Sequence, residues 1–257
     1  MDAYIQEWIL FADEYLIVLN KPAGLRSLPD GYNPSAEHLL SLLQPFFGKL
    51  WIVHRLDKDT SGVIVLTRTP EAHRSLNQQF EQRTVKKIYH AIIHGKPSWR
   101  EMDITDPLKT NGDRRHRTVI DYAQGKMAQT HCRVLEYFPN NALVELHPKT
   151  GRTHQLRTHL AYIHHPILGD QLYTPAEIKK TQICTMDIER LALHAYSIQF
   201  THPTSNQPLE FSAPYPPDFR ACLARLGAVS IDGSGGTTDK GNSTTPKATL
   251  ERGFGLG

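Results

Sequence analysis

Long apolar runs are missing from this sequence. Leu16–Leu19 and Val63–Leu66 are four residues each, and nothing approaches the roughly 20 that a membrane-spanning helix needs. Cysteine is scarce: Cys132, Cys184 and Cys222 lie far apart, an odd count without CxxC spacing, which argues against a disulfide framework and a zinc ribbon. The first residues carry Asp2 and Glu7 where a secretory signal would be basic and then apolar, so none is expected. The expectation is a soluble, reduced, cytoplasmic protein. HExxH, GxxxxGK[ST] and GxSxG are also absent, which lowers metal hydrolysis, triphosphate binding and the serine-hydrolase elbow as readings. His154, His159 and His164 are spaced by five, about 140° around a helix, so they do not share a face for a metal. No metal is expected.

Of the 257 residues, 39% are hydrophobic, enough for a core in one large domain or two small ones. The net charge of +3 is unevenly spread. Residues 1–14 hold four acids and no Lys or Arg, whereas Lys49 to Arg133 hold 16 Lys and Arg against 9 acids. Leu146 to Leu160 has Lys149, Arg152, Arg157 and three histidines with no acid. This pattern fits either a polyanionic partner on one face or a solvated basic surface.

Tyr15–Asn20 reads as a buried strand closed by the turn Lys21-Pro22-Ala23-Gly24. Asn33-Pro34 suggests a helix start ahead of Leu39, Leu42, Leu43 and Phe46, with Pro45 helping to end it. Val63–Thr67 reads as a strand, and Thr69-Pro70 caps a helix carrying Ala72, Leu76 and Phe80. Further strands are expected at Lys87–His94, Arg117–Tyr122, Thr130–Phe138 and Ala142–His147. Thr153–Ile163 reads as a helix, and Leu193–Phe200 with Leu209–Ser212 as a hairpin-like pair. Strands outnumber helices and often follow one another directly. The spacing therefore predicts an α+β fold with a mixed, mainly antiparallel central sheet, flanked by helices and loops. From about Ala228 the chain is rich in Gly, Ser and Thr, so residues 1–227 are expected to form the domain and 228–257 a flexible tail.

Two segments concentrate chemistry. His54-Arg55-Leu56-Asp57-Lys58-Asp59-Thr60-Ser61-Gly62 puts two carboxylates, two cations and two hydroxyls in a loop ahead of a buried strand. Composition alone also allows a surface turn in which Asp57 and Asp59 pair with Arg55 and Lys58. Lys149 to His159 is basic, with Gly151 just before the expected helix. Arg152 lies one turn ahead of Leu156, so a helix over this stretch points it inward, where it would want a carboxylate such as Asp57. A solvated basic helix is the plainer alternative.

The first segment resembles the HRLD-x-x-TSG signature of RluA-type RNA pseudouridine synthases. Lys87-Ile88-Tyr89-His90-Ala91 resembles the family's K-x-Y-x-A strand, and Gly151-Arg152-Thr153-His154-Gln155-Leu156-Arg157 its G-R-x-H-Q-[IL]-R block. His165–Asp170 and the segments 193–203 and 213–214 resemble later blocks, so the likeness is colinear from about Trp8 to Phe219. It implies Asp57 as the essential catalytic aspartate, Arg152 as its partner, and Tyr89 against the target base. It implies Leu156 in the base pocket, Arg55 in the gap left by the flipped uridine, and His54, Thr60, Lys87 and Arg157 as further substrate contacts. The implied reaction breaks the uridine C1′–N1 bond, turns the uracil and rejoins it through C5, without a cofactor. The implied partner is a stem-loop of ribosomal or transfer RNA, bound by a monomer. Many relatives begin with a small S4 module; here the first strand is expected by about residue 9, so recognition would fall to the catalytic domain. Two other readings remain at this point: a non-catalytic RNA-binding or chaperone-like protein on the same fold, and a nucleosidase using Asp57 and Asp59 as a carboxylate pair.

Overall fold

Two four-residue apolar runs set the centre of the molecule. A computed structural model describes residues 3–29, 33, 35–178 and 188–228. Leu16, Ile17, Val18 and Leu19 are fully buried, as are Ile64, Val65 and Leu66. They lie on β2 (Leu16–Lys21) and β4 (Ser61–Thr67), which pair antiparallel from Leu16↔Thr67 to Lys21↔Gly62. A strand covered on both faces has no polar face to alternate with, hence the continuous runs. One face packs on α2 (Leu39–Phe47) through Ile17, Leu19, Ile64, Leu39 and Leu43. The other packs on α3 (Pro70–Glu81) through Leu16, Val18, Val63, Val65 and Leu76. Burying each such side chain contributes about 1.5–3 kcal/mol.

The sheet runs β1 (Ile9–Ala12), β2, β4, β11 (Leu193–Thr201), β5 (Lys86–His94), β10 (Asn141–Pro148), β9 (Thr130–Tyr137), β6 (Glu101–Ile104). β3 (Trp51–Ile52) adds to β4, and β12 (Pro208–Ser212) adds to β11 beyond the point where β4 leaves it. A separate pair joins β7 (Leu108–Lys109) to β8 (Val119–Ile120). α1 (Ala3–Gln6) precedes the sheet, and α4 (Gln155–Tyr162) and α5 (Pro217–Leu226) pack with the β5, β10 and β9 half, where Leu156, Leu160, Phe219, Cys222 and Leu223 share one core. The fold is thus α+β with a mixed, mainly antiparallel sheet.

The pairing of β4 with β11 is parallel and short, His194↔Ser61 and Ala195↔Gly62. It is the seam between the two halves of the sheet. His194 Nε2 donates to the Ala213 carbonyl at 3.1 Å, so its Nδ1 accepts from the Ser61 hydroxyl at 2.9 Å. Burial lowers the pKa of this histidine to about 4, keeping it neutral. Gly62 sits at φ +113°, and a Cβ there would stand 2.2 Å from the Ala195 carbonyl oxygen.

Several elements differ from the expectation. α2 starts at Leu39, not near Asn33-Pro34: the Ser41 hydroxyl accepts from the His38 N–H and donates to the His38 carbonyl, fixing the turn there. Pro45 lies inside α2, which ends at Gly48, φ 69°. The strand expected over Arg117–Tyr122 shrinks to Val119–Ile120. Asp113 on one side accepts the Arg115 and Arg117 N–H groups, and Asp121 on the other accepts those of Ala123 and Gln124, turning the chain at both ends. α5 was not foreseen, although Phe219, Cys222 and Leu223 have helical spacing after Pro216-Pro217. Thr69 caps α3 as expected, accepting from the Ala72 N–H at 3.2 Å. Cys184, Pro34 and, apart from Ala228, the expected tail lie outside the described residues.

Gly62→Ala should destabilise the protein by about 3 kcal/mol or more, because the clash is with backbone that cannot rotate away. Urea unfolding of the two proteins checks this; a change below 1 kcal/mol contradicts the close approach.

Candidate active site

The loop between β3 and β4 is held from two sides. Lys21, fully buried at the end of β2, donates from Nζ to the carbonyls of Pro22, Leu25 and Lys58 at 2.8, 2.8 and 3.2 Å. Burial lowers its pKa to about 7, against the opposing pull of Asp59. Ser27 accepts from the Leu56 N–H and donates to the Leu56 carbonyl, and the Thr60 N–H closes the turn on the Asp57 carbonyl at 3.1 Å. Asp57 is thereby presented at the mouth of β4, beside the seam.

Across from it, the segment entering α4 is organised by Gln155. Its Oε1 accepts from the Thr150 hydroxyl and the Arg152 N–H, and its Nε2 donates to the Gln129 carbonyl and the Thr130 hydroxyl. With the buried Gln155 tied into the strand ends, the helix begins at residue 155, and His154 before it takes a left-handed backbone, φ 52° and ψ 22°.

That start corrects the expected partner of Asp57. Arg152 precedes the helix, so helical phase does not turn it inward; its Nε donates to the Met127 carbonyl at 3.1 Å on the cleft rim. Arg157, inside the helix, takes the place instead. Its Nε and Nη2 donate to the two oxygens of Asp170, each at 2.8 Å, and its Nη1 reaches Asp57 Oδ2 at 3.4 Å. The Asp170 side chain is fully buried, and its Oδ1 also accepts the N–H groups of Leu172 and Tyr173. The Arg157 guanidinium lies 5.0 Å over the Tyr173 ring. Burial works against the arginine's charge, but the hydrogen bonds to Asp170 and the fields of Asp170 and Asp57 outweigh it and raise its pKa.

The nine side chains singled out from the sequence all line one cleft of about 540 Å³: His54, Arg55, Leu56's neighbour Asp57, Thr60, Lys87, Tyr89, Arg152, Leu156 and Arg157. That volume suits a nucleoside-sized group. Leu193, which opens one of the later family-like blocks, and the basic residues Arg83 and Lys149 also line it. Tyr89 faces Ala195 across β5 and β11; burial, and then the field of Asp57, raises its phenol pKa, so it is a neutral hydroxyl at physiological pH. Burial lowers the Lys87 pKa to about 8. His54 is held down to about 3 by burial and by Lys87; its Nε2 accepts the Val65 N–H at 2.9 Å, so it braces the cleft wall as a neutral ring. Arg55 donates to the Thr153 hydroxyl at 3.3 Å across the cleft. Thr60 Oγ1 is buried with no partner among the described residues. Asp59 lines an adjoining recess with Arg26 and Lys58 and does not line the cleft itself. Among the described residues no group of His, Cys, Asp and Glu could hold a metal, and no helix is long and apolar enough to cross a membrane.

Arg157→Leu strands a buried carboxylate at Asp170 and should cost about 3–5 kcal/mol of stability. Arg152→Leu, on the rim, should stay within about 0.5 kcal/mol. Urea titrations of both variants test this; equal losses would contradict the assignment of Arg157 as the anchored cation.

A sequence profile described as RNA pseudouridylate synthase matches residues 15–162. The dual-specificity RNA pseudouridine synthase RluA of Escherichia coli strain K12 is 40% identical over 207 residues, 80% of this chain and 92% of that protein. The ribosomal large subunit pseudouridine synthase D of Nitrosomonas europaea is 41% identical over 225 residues, 85% of this chain and 64% of that protein. The solved structure of human RNA pseudouridylate synthase domain containing 4 superimposes with a TM-score of 0.71 at 28% identity, covering 87% of this chain and 94% of that one. With an aspartate and an anchored arginine facing a tyrosine in one basic cleft, this chain belongs to the RNA pseudouridylate synthase family, whose members are isomerases.

Proposed function

We propose that the protein isomerises specific uridines of a structured RNA to pseudouridine, with Asp57 as the essential carboxylate. The observation that carries this is the cleft itself: Asp57 faces an anchored guanidinium in a cleft that Tyr89 and Leu156 also line. The reaction is an isomerisation. The C1′–N1 bond breaks, the uracil turns within the cleft, a C1′–C5 bond forms, and the proton lost from C5 is balanced by one gained at N1. Asp57 can serve by adding to the nucleotide or by removing the C2′ proton, and each role needs the ionised form. Tyr89, a neutral phenol, and Leu156 are the cleft residues we assign to lie against the base.

Reaching a base inside a duplex costs a few kcal/mol of lost stacking. Arg55, Arg83, Lys87, Lys149 and Arg152 around the cleft are the groups that would offset it through phosphate contacts. Arg55, at the rim, is the side chain proposed to fill the vacated stack. We place the catalytic unit in residues 1–227, acting as a monomer because one chain supplies the cleft, and in the cytoplasm, where the buried thiol of Cys132 would stay reduced. The relatives' names point to large-subunit ribosomal RNA as one substrate class, and the RluA-like dual specificity adds a second, which we take to be a transfer RNA stem-loop.

Asp57→Asn should abolish pseudouridine formation, read by uridine-specific carbodiimide mapping of cellular RNA, while RNA binding survives. A chain ended at residue 228 should keep most of the wild-type rate. Equal binding with no pseudouridine from either the wild type or Asp57→Asn would leave a binding protein instead, and free uracil would indicate a nucleosidase.

Lys87 is charged below about pH 8 and neutral above it. RNA affinity should therefore fall as pH rises, by up to about tenfold between pH 7 and 9 if only the charged form binds. Lys87→Met should remove this dependence; a wild-type affinity that is flat over the range contradicts a phosphate contact at Lys87.

A further inference from the structure

His154 has no part in the reading above, yet it is held more deliberately than its neighbours. A left-handed backbone at a residue with a side chain is uncommon and persists only where the surroundings fix it. Here Gln155 fixes the turn, and the imidazole is directed between Asp57 and Tyr173. Its Nδ1 lies 2.9 Å from the Tyr173 hydroxyl, and its Nε2 lies 3.8 Å from Asp57 Oδ2.

The direction of these contacts follows from one obligatory donor. The Thr118 N–H donates to the Tyr173 oxygen at 2.9 Å. Among the described residues, the acceptor within reach of the remaining Tyr173 proton is His154 Nδ1. The imidazole must then carry its own proton on Nε2, the atom that faces Asp57. Burial lowers the His154 pKa, Asp57 and Asp170 oppose that, and Arg157 and Arg55 add to it. The ring is neutral at physiological pH, so its tautomer decides what Asp57 meets.

Resting on the isomerase reading, we propose that His154 is a positioning residue, locked by Tyr173 in the tautomer that donates from Nε2 to Asp57 Oδ2 once a nucleotide fills the cleft. At 3.8 Å the contact is too long for a hydrogen bond in the free protein, and such contacts tighten in the loaded site. Arg157 Nη1 approaches the same oxygen. Oδ2 is then held twice, and Oδ1, which no donor among the described residues reaches, is the oxygen turned to the nucleotide.

The test is a single-turnover rate at saturating full-length enzyme, on an RNA whose modified uridine has been mapped, with thermal melts to verify folding. His154→Leu should slow the reaction about 30-fold or more with RNA affinity unchanged, and His154→Gln, whose amide can donate, should stay within about fivefold of wild type. Tyr173→Phe keeps the ring beneath Arg157 but frees the tautomer. It should run about 3–10-fold slow at pH 8 and recover only as the pH falls below the ordinary imidazole range, because a protonated imidazole carries the Nε2 proton regardless and burial lowers the pKa of this one. His154→Leu within twofold of wild type, Gln as slow as Leu, or a Tyr173→Phe deficit that does not recover in acid would each overturn the inference. If His154→Leu does not fold, the Tyr173→Phe profile decides. Wild-type protein that forms no pseudouridine would overturn the isomerase reading, and this inference with it.

Discussion

The site depends on the ion pair between Arg157 and Asp170. A carboxylate removed from water costs several kcal/mol unless its charge and lone pairs are met, and Asp170 is met by two guanidinium N–H groups and two backbone N–H groups. That bidentate fork fixes the plane of the guanidinium, and the Tyr173 ring supports it from one side. The nitrogen left over, Nη1, is aimed at Asp57 by geometry already fixed for structural reasons. Asp57 therefore meets a cation that does not have to be ordered when substrate arrives, which is how preorganised sites avoid reorganisation at the moment of reaction.

The rest of the cleft is graded in polarity. Deep in it lie Leu56, Leu156, Leu193 and the uncharged phenol of Tyr89; at its rim lie Arg55, Arg83, Lys149 and Arg152. A nucleotide that entered would put its base among apolar groups and its phosphates among cations. Lys87 lies between these zones, and its lowered pKa reflects that partial loss of water.

Much of this was legible in the sequence for identifiable reasons. The doubly buried strands announced themselves as unbroken apolar runs, Thr69-Pro70 carried its own capping chemistry, and the loop around Asp57 and the block around Arg157 stood out as charged segments beside apolar ones. The partner of Asp57 was not legible, because helical phase is meaningful only once the first helical residue is known. Gln155's four hydrogen bonds come from residues 26 positions and fewer away, and they delay the helix by two residues, enough to exchange the roles of Arg152 and Arg157. Lys21 was hidden for a similar reason. A lysine before Pro-Ala-Gly looks like an exposed turn, and the approach of the Lys58 carbonyl from 37 residues away joins the local Pro22 and Leu25 carbonyls in making it a buried brace.

The parallel seam has a consequence for how the chain reaches its working state. β4 and β11 lie some 130 residues apart in sequence, and their two paired positions, with Ala195, Ile198 and Phe200 of β11 packed into the cores of β2 and β4, join the two half-sheets. Contacts so remote form slowly, since the intervening chain must be ordered first. Asp57 sits on one side of that junction and Arg157 on the other. Opposed catalytic groups therefore require both sides of that junction to be in place, and a chain lacking the pairing would present basic surface without them.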